Sequence, residues 1–165
     1  YGRTCYISCM PILPKKRKVD TENASIAKRD DYTQTLNAIV EGGFCPFCEE
    51  HLSKHHRRPI LYKSRYWIVT ENAWPYKGSR FHFLFIARPH IEATEDIISP
   101  MWTDLQKLYR KLVKENSISG GTLMIRSGNT KATGASVNHL HAHLIVGVPR
   151  TKNTKSIEAL VGFKK

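Results

Sequence analysis

Asn138-His139-Leu140-His141-Ala142-His143-Leu144-Ile145-Val146 sets three histidines alternating with apolar residues and then runs into an aliphatic stretch. Alternation with a period of two predicts a strand. His139, His141 and His143 then share one face, and Leu140, Ala142 and Leu144 share the other. A strand advances about 3.3 Å per residue, which sets the outer two histidines roughly 13 Å apart. Zinc–nitrogen bonds are near 2.1 Å, so one metal ion cannot hold all three. The three imidazoles therefore need at least two jobs.

Working outward, the triad strand is expected over residues 137–148, after a loop at 127–136 rich in Gly, Thr, Asn and Ser. Thr122-Leu123-Met124-Ile125-Arg126 reads as another strand. So do Tyr66-Trp67-Ile68-Val69-Thr70 and Phe81-His82-Phe83-Leu84-Phe85-Ile86-Ala87, both rich in aromatic and β-branched residues. Between the last two lies a loop marked by Asn72, Pro75 and Gly78. Two helical segments are expected between residues 93 and 116. The second has Ser99 as cap, Pro100 at the first helical position and a stripe of Leu105, Leu108, Leu112 and Val113. A further helix at 28–40 carries Leu36, Ile39 and Val40 on one side and stops at Gly42-Gly43. Residues 49–58 read as a polar, basic loop, and 157–161 as a short helix. Strand pairs on short loops with helices grouped between them predict an α+β fold on an antiparallel sheet.

The chain has 165 residues, enough for one domain with tails: an arm at 1–27, a domain at 28–148 and a basic tail at 149–165. No apolar run reaches the ~18 residues of a membrane span. The first residues lack the order of a secretory signal, and a reducing, cytoplasmic setting is expected. Lys and Arg outnumber Asp and Glu by 26 to 14, for a net charge of +12. Such a surface attracts nucleotides, and the basic tails could contact nucleic acid. Pro14-Lys15-Lys16-Arg17-Lys18-Val19 matches a viral nuclear-import peptide. An import address, a polyanion contact and an added segment all remain open for it. No role is read for Cys5 and Cys9.

Three histidines on one strand face cannot all be charged, because neighbouring imidazolium ions repel. Some must be neutral, ligated or held by an anion. A neutral imidazole can attack phosphorus, and a second can assist the leaving oxygen. Gly128, Gly134 and Ser136 in the preceding loop let a backbone approach phosphate and offer donors to it. Cys45 and Cys48, two residues apart, can give two thiolates to one zinc, which favours a tetrahedron. No second such pair exists, so the remaining ligands would be histidines, with His90 and His139 the candidates. A thioredoxin-like redox pair competes, but no strand-to-helix context is evident around Cys48.

His139-Leu140-His141-Ala142-His143-Leu144-Ile145 resembles the signature of the histidine triad (HIT) family. Gly134-Ala135-Ser136-Val137-Asn138 resembles that family's lead-in, Asn72 through Pro75 to His82 its substrate loop, and Cys45-Pro46-Phe47-Cys48 the cysteine pair of its zinc-containing members. The likeness spans about residues 40–148. It implies a five-stranded antiparallel core sheet, a homodimer and a nucleotide substrate. It implies that His141 attacks an α-phosphate to form a nucleotidyl-histidine, which water releases as a nucleoside monophosphate. His143 would contact phosphate and assist the leaving group. Ser136 and the Gly134 backbone would hold phosphoryl oxygens, Asn72 would face the ribose, and Phe47, with Pro46, would line the base pocket. A structural zinc would sit on Cys45, Cys48, His90 and His139.

Three departures narrow the reading. Asn72 stands where the purine-nucleoside phosphoramidase branch often has Asp, and Ala135 where that branch commonly has Gln. His143 replaces the Gln of the transferase branches, which favours hydrolysis. A zinc-containing dinucleoside polyphosphate hydrolase is the expected activity. Two alternatives are removal of adenylate from nucleic-acid ends, as in the HIT relative aprataxin, and a zinc-stabilised nucleotide-binding module without turnover.

Overall fold

A computed structural model describes residues 18–26 and 30–165. Most of the basic run, at 15–17, lies outside the described residues, as do Cys5 and Cys9. Five strands form one antiparallel sheet in the order β1-β2-β3-β5-β4, with β1 at Ile60–Lys63, β2 at Trp67–Glu71, β3 at Phe81–Ala87, β4 at Thr122–Ile125 and β5 at His141–Val146. The helices are α1 at Thr21–Ile26, α2 at Asp30–Gly42, α3 at Glu49–His55, α4 at Ser99–Glu115 and α5 at Thr130–Thr133. The α+β class and the antiparallel sheet are as expected.

The period-two pattern gives the sheet two unlike faces. Trp67, Val69, Phe83, Phe85, Ala142, Leu144 and Val146 point to one side and bury themselves against Met101, Leu105, Leu108 and Leu112 of α4. On the other face β3 sets His82, Leu84 and Ile86 beside Ile145, His143 and His141 of β5. Leu52 of α3 and Phe47 pack onto that second face through Ile68, Leu84 and Ile86. The apolar face anchors the sheet on its helix, and the histidine face is left for chemistry.

Several local expectations change. The triad strand begins at His141, two residues after His139, because Leu140 N donates to Ile91 O at 2.7 Å outside the ladder. Residues 49–55 form α3 instead of a loop: Leu52 is buried, and Glu49 and Glu50 suit a helix N-terminus. Strand β1 was not anticipated; it is a four-residue edge strand just after Pro59. Helix α4 has Ile98 at its cap and Ser99 already helical, with no side-chain cap. No helix forms at 157–161; this stretch lies across the domain instead. Residues 18–26, read as part of an arm, pack on the domain. Val19 is buried and pairs with Val137, and Asp20 N donates to Ser136 O at 2.8 Å. Among the described residues, no helix is long and apolar enough to cross a membrane.

Candidate functional site

The turn before α3 carries Cys45 and Cys48, the end of β3 leads to His90, and the approach to β5 brings in His139. One potential ligand atom from each lies within 4.8 Å of the others. Cys45 Sγ is 3.4 Å from His139 Nδ1, Cys48 Sγ is 3.4 Å from His90 Nδ1, and the two Nδ1 atoms are 3.0 Å apart. A tetrahedral zinc with ordinary bond lengths separates neighbouring ligand atoms by about 3.3–3.8 Å, and the two sulfur–nitrogen spacings of 3.4 Å fall in that range. The Cys2His2 donor set suits structural zinc. Burial, with Cys45 alongside, pushes the Cys48 thiol up to about 12, so without a cation beside it the group stays protonated.

The outer hydrogen bond of His139 fits a ligand role. His139 Nε2 donates to Ala87 O at 2.6 Å, which leaves the lone pair on Nδ1, facing the cluster. His90 Nε2 lies 3.6 Å from Glu92 Oε1 and 2.9 Å from Lys18 Nζ. A helix does follow Cys48, against expectation, but a turn rather than a strand precedes it, and both thiols face histidines.

Two residues on, His141 is arranged the other way round. Its Nδ1 donates to the His139 carbonyl at 2.7 Å, so its lone pair is on Nε2. Burial is the main reason its pKa falls to about 4, helped by the Arg126 charge, so the ring is neutral near pH 7. The Phe47 ring meets it edge-on at 4.9 Å. His143 follows, its ring centroid 4.8 Å from that of His141.

The protons on His143 are set by a relay. Tyr76 N–H donates to His82 Nδ1 at 3.1 Å, so the His82 proton is on Nε2. That nitrogen donates to His143 Nδ1 at 2.9 Å. The remaining proton of a neutral His143 is then on Nε2, 3.2 Å from Arg126 Nη1. Arg126 Nη2 also donates to the Tyr76 hydroxyl at 2.7 Å, and its Nε donates to Leu160 O at 3.0 Å, a carbonyl that Nη2 reaches too.

One pocket joins these groups. Phe47, Pro46, Asn72, Gly134, Ser136, His141, His143 and Arg126 all line it, as do Tyr32, Leu36 and Ile39 of α2. The substrate-side residues expected from the resemblance thus face one space, whereas Gly128 does not line it and gives its N–H to Glu92 O at 2.9 Å. Asn72 Oδ1 accepts from Trp74 N at 3.0 Å, and its Nδ2 lies 3.2 Å from His82 Nε2. Gly134 ends α5 at φ 72°, a conformation natural to glycine. A Cβ there would stand 2.7 Å from Leu160 Cγ, so the tail covers the glycine that was expected to be open. The loop itself is held from behind: Asn23 Nδ2 donates to Thr130 O and Ala135 O, both at 2.8 Å.

Sequence reading did not single out Arg126, Tyr76 or Leu160. Arg126 appeared only as the end of a strand, and its meeting with His143 depends on the β4–β5 pairing. For Leu160 the apolar pattern pointed to a helix, and nothing local signals its place over Gly134.

A model of the HIT domain family matches residues 58–150. Among solved structures, the chain resembles a HIT family hydrolase from Clostridium thermocellum at 24% identity, over 65% of this chain and 91% of that one, with a TM-score of 0.50. It resembles a histidine triad protein from Clostridium difficile at 20% identity, over 67% and 96%, with a TM-score of 0.50. A hypothetical histidine triad nucleotide-binding protein from Sulfolobus tokodaii aligns at 20% identity over 73% and 82%, with a TM-score of 0.52. At these identities the likeness is one of fold. No curated protein sequence matches the chain.

Proposed function

Because this chain belongs to the HIT domain family, we propose that it is a nucleotidyl hydrolase, cleaving dinucleoside polyphosphates or related nucleotide conjugates at the α-phosphate. The disposition of ring protons carries the reading. His141 offers a lone pair at Nε2, and the neighbouring His143 offers an N–H at Nε2. A nucleophile and a donor side by side are what displacement at phosphorus needs.

In the first step, the His141 Nε2 lone pair forms a bond to the α-phosphorus. The bond from phosphorus to the leaving oxygen breaks, and that oxygen keeps the electron pair. The imidazole gains positive charge, and its Nδ1–H is already hydrogen-bonded to the His139 carbonyl at 2.7 Å. Water then attacks the phosphorus, the P–N pair returns to Nε2, and the surplus proton goes to solvent. A nucleoside monophosphate leaves. Phe47 and Pro46 wall the base pocket, Asn72 faces the ribose, and Ser136 holds phosphoryl oxygens, while the Gly134 N–H expected to share that task is given to Thr130 O at 2.9 Å.

A zinc on Cys45, Cys48, His90 and His139 would supply a fixed charge that ties the cysteine turn to the start of β5. Four protein ligands leave it no position for substrate. The family's homodimer belongs to the same reading.

Incubation with labelled diadenosine tetraphosphate tests the proposal. AMP should appear, and a rapid quench into alkaline denaturant, which preserves the acid-labile P–N bond, should trap an adenylyl group on His141. A His141→Gly variant with undiminished AMP release would sink it.

A further inference from the structure

Arg126 is half-buried in the pocket, where its side chain meets His143, the Tyr76 hydroxyl and the Leu160 carbonyl. Among the described residues no carboxylate pairs with it. Its Nη1 and the His143 Nε2–H are two donors 3.2 Å apart. Two donors satisfy one another poorly, and together they suit one anionic oxygen.

The relay restricts what His143 can do. Its Nδ1 accepts the proton held by His82, and its Nε2 carries its own single proton. Giving that proton away would leave an imidazolate. Taking up a second would put two cations side by side beneath the guanidinium, which Coulomb repulsion opposes. His143 therefore stabilises a leaving oxygen by hydrogen bonding rather than by handing over its proton. A leaving phosphate tolerates that, since it is stable as an anion. A leaving amine does not, because it must be protonated as it departs.

We propose that Arg126 recognises negative charge on the leaving group, so that the site favours phosphoanhydrides over phosphoramidates. The inference rests on attack by His141 at an α-phosphate. Phosphorus bonds to His141 Nε2, the P–O bond to the leaving phosphate breaks, and that phosphate takes the electron pair facing Arg126 and His143.

The experiment compares diadenosine tetraphosphate with adenosine 5′-phosphoramidate on wild type and Arg126→Met. Wild type should cleave the anhydride at least ~100-fold better in kcat/KM. Arg126→Met should lose roughly 100-fold on the anhydride and under about 3-fold on the amidate. Equal losses on both, no loss on either, or a wild type that prefers the amidate would overturn the inference. A chain ending at residue 156 removes Leu160 and controls for a tail-anchoring role. It should keep the leaving-group preference, and loss of that preference would also overturn the inference. If wild type cleaves neither compound, the hydrolase reading has failed and binding decides this one. Tripolyphosphate should then bind Arg126→Met at least ~10-fold more weakly than wild type, with AMP affected under about 3-fold. Unchanged tripolyphosphate binding would overturn it.

Discussion

His139 and His141 stand two residues apart, and burial lowers both to a pKa of about 4, yet the fold gives them opposite roles. In His139 the carbonyl of Ala87 takes the Nε2 proton and Nδ1 turns toward two thiols and His90. In His141 the carbonyl of His139 takes the Nδ1 proton and Nε2 keeps the lone pair in the pocket. Residue type and burial do not distinguish them. The backbone oxygen that claims one ring nitrogen decides what the other can do. One region becomes a closed set of four potential ligands, and the other an open pocket lined by the imidazole proposed as nucleophile.

If that division holds, the two regions fail differently. The largest effect belongs to His141→Gly, which should lower kcat/KM by about 10³-fold or more while the midpoint of thermal unfolding moves by only about 2 °C. A parallel fall in stability would mean that His141 serves the fold and would break the comparison. Cys45→Ser should do the reverse. Structural zinc contributes many kcal/mol to folding, and about 1 kcal/mol shifts the midpoint by roughly 2–4 °C in a domain of this size. The midpoint should fall by about 10 °C or more, and a strong chelator should lower wild type but not the variant. Differential scanning fluorimetry with metal analysis reads both; a metal-free wild type of unchanged stability would remove the closed site from the picture.

The closed region was legible in the sequence because its ligands are distinctive residue types. Cys45 and Cys48 announce a metal or redox pair by spacing, and few histidines remain to complete a set. The strands of the central sheet were legible too, since Phe81 to Ala87 and the triad strand carry aromatic or alternating patterns. Strand β1 is short, exposed and next to Pro59, so it carried little signal. Polar α3 hid because its one buried residue, Leu52, makes no stripe. Residues 157–161 have helical apolar spacing, but Leu160 finds a partner on Gly134 and Ile157 one near Gly147. The pocket was half legible for the same reason. His141, His143 and Ser136 sit in one motif, while Tyr76, His82 and Arg126 converge only through strand pairing.

The relay gives the third test. His82→Leu removes the donor to His143 Nδ1 and the acceptor for Tyr76 N–H. The proton on His143 is then free to sit on either nitrogen. Activity should fall about 10- to 100-fold, less than for His141 because no bond to phosphorus is lost. Steady-state assays check this, and wild-type activity would show that the proton position does not matter.

The smallest effect isolates burial from both roles. His56, on the pocket rim, donates from Nε2 to Thr70 Oγ1 at 2.7 Å, since the Thr70 hydroxyl itself donates to Pro59 O at 2.9 Å. Burial lowers its pKa below 6.5, opposed by a hydrogen bond to the Glu71 backbone and aided more weakly by the Arg58 charge. A base with a depressed folded pKa binds fewer protons folded than unfolded. Its neutral form is fully compatible with the fold above about pH 6.5, and stability is lost as pH falls below that. Urea denaturation at pH 7.5 and pH 5.5 should therefore show a larger loss on acidification for wild type than for His56→Gln, by a fraction of a kcal/mol since the ring is partly exposed. An equal loss would mean that burial at this depth does not shift a histidine here. The low pKa of His139 and His141 would then have to come from neighbouring charges, His90 and Lys18 beside the first and Arg126 beside the second, rather than from burial.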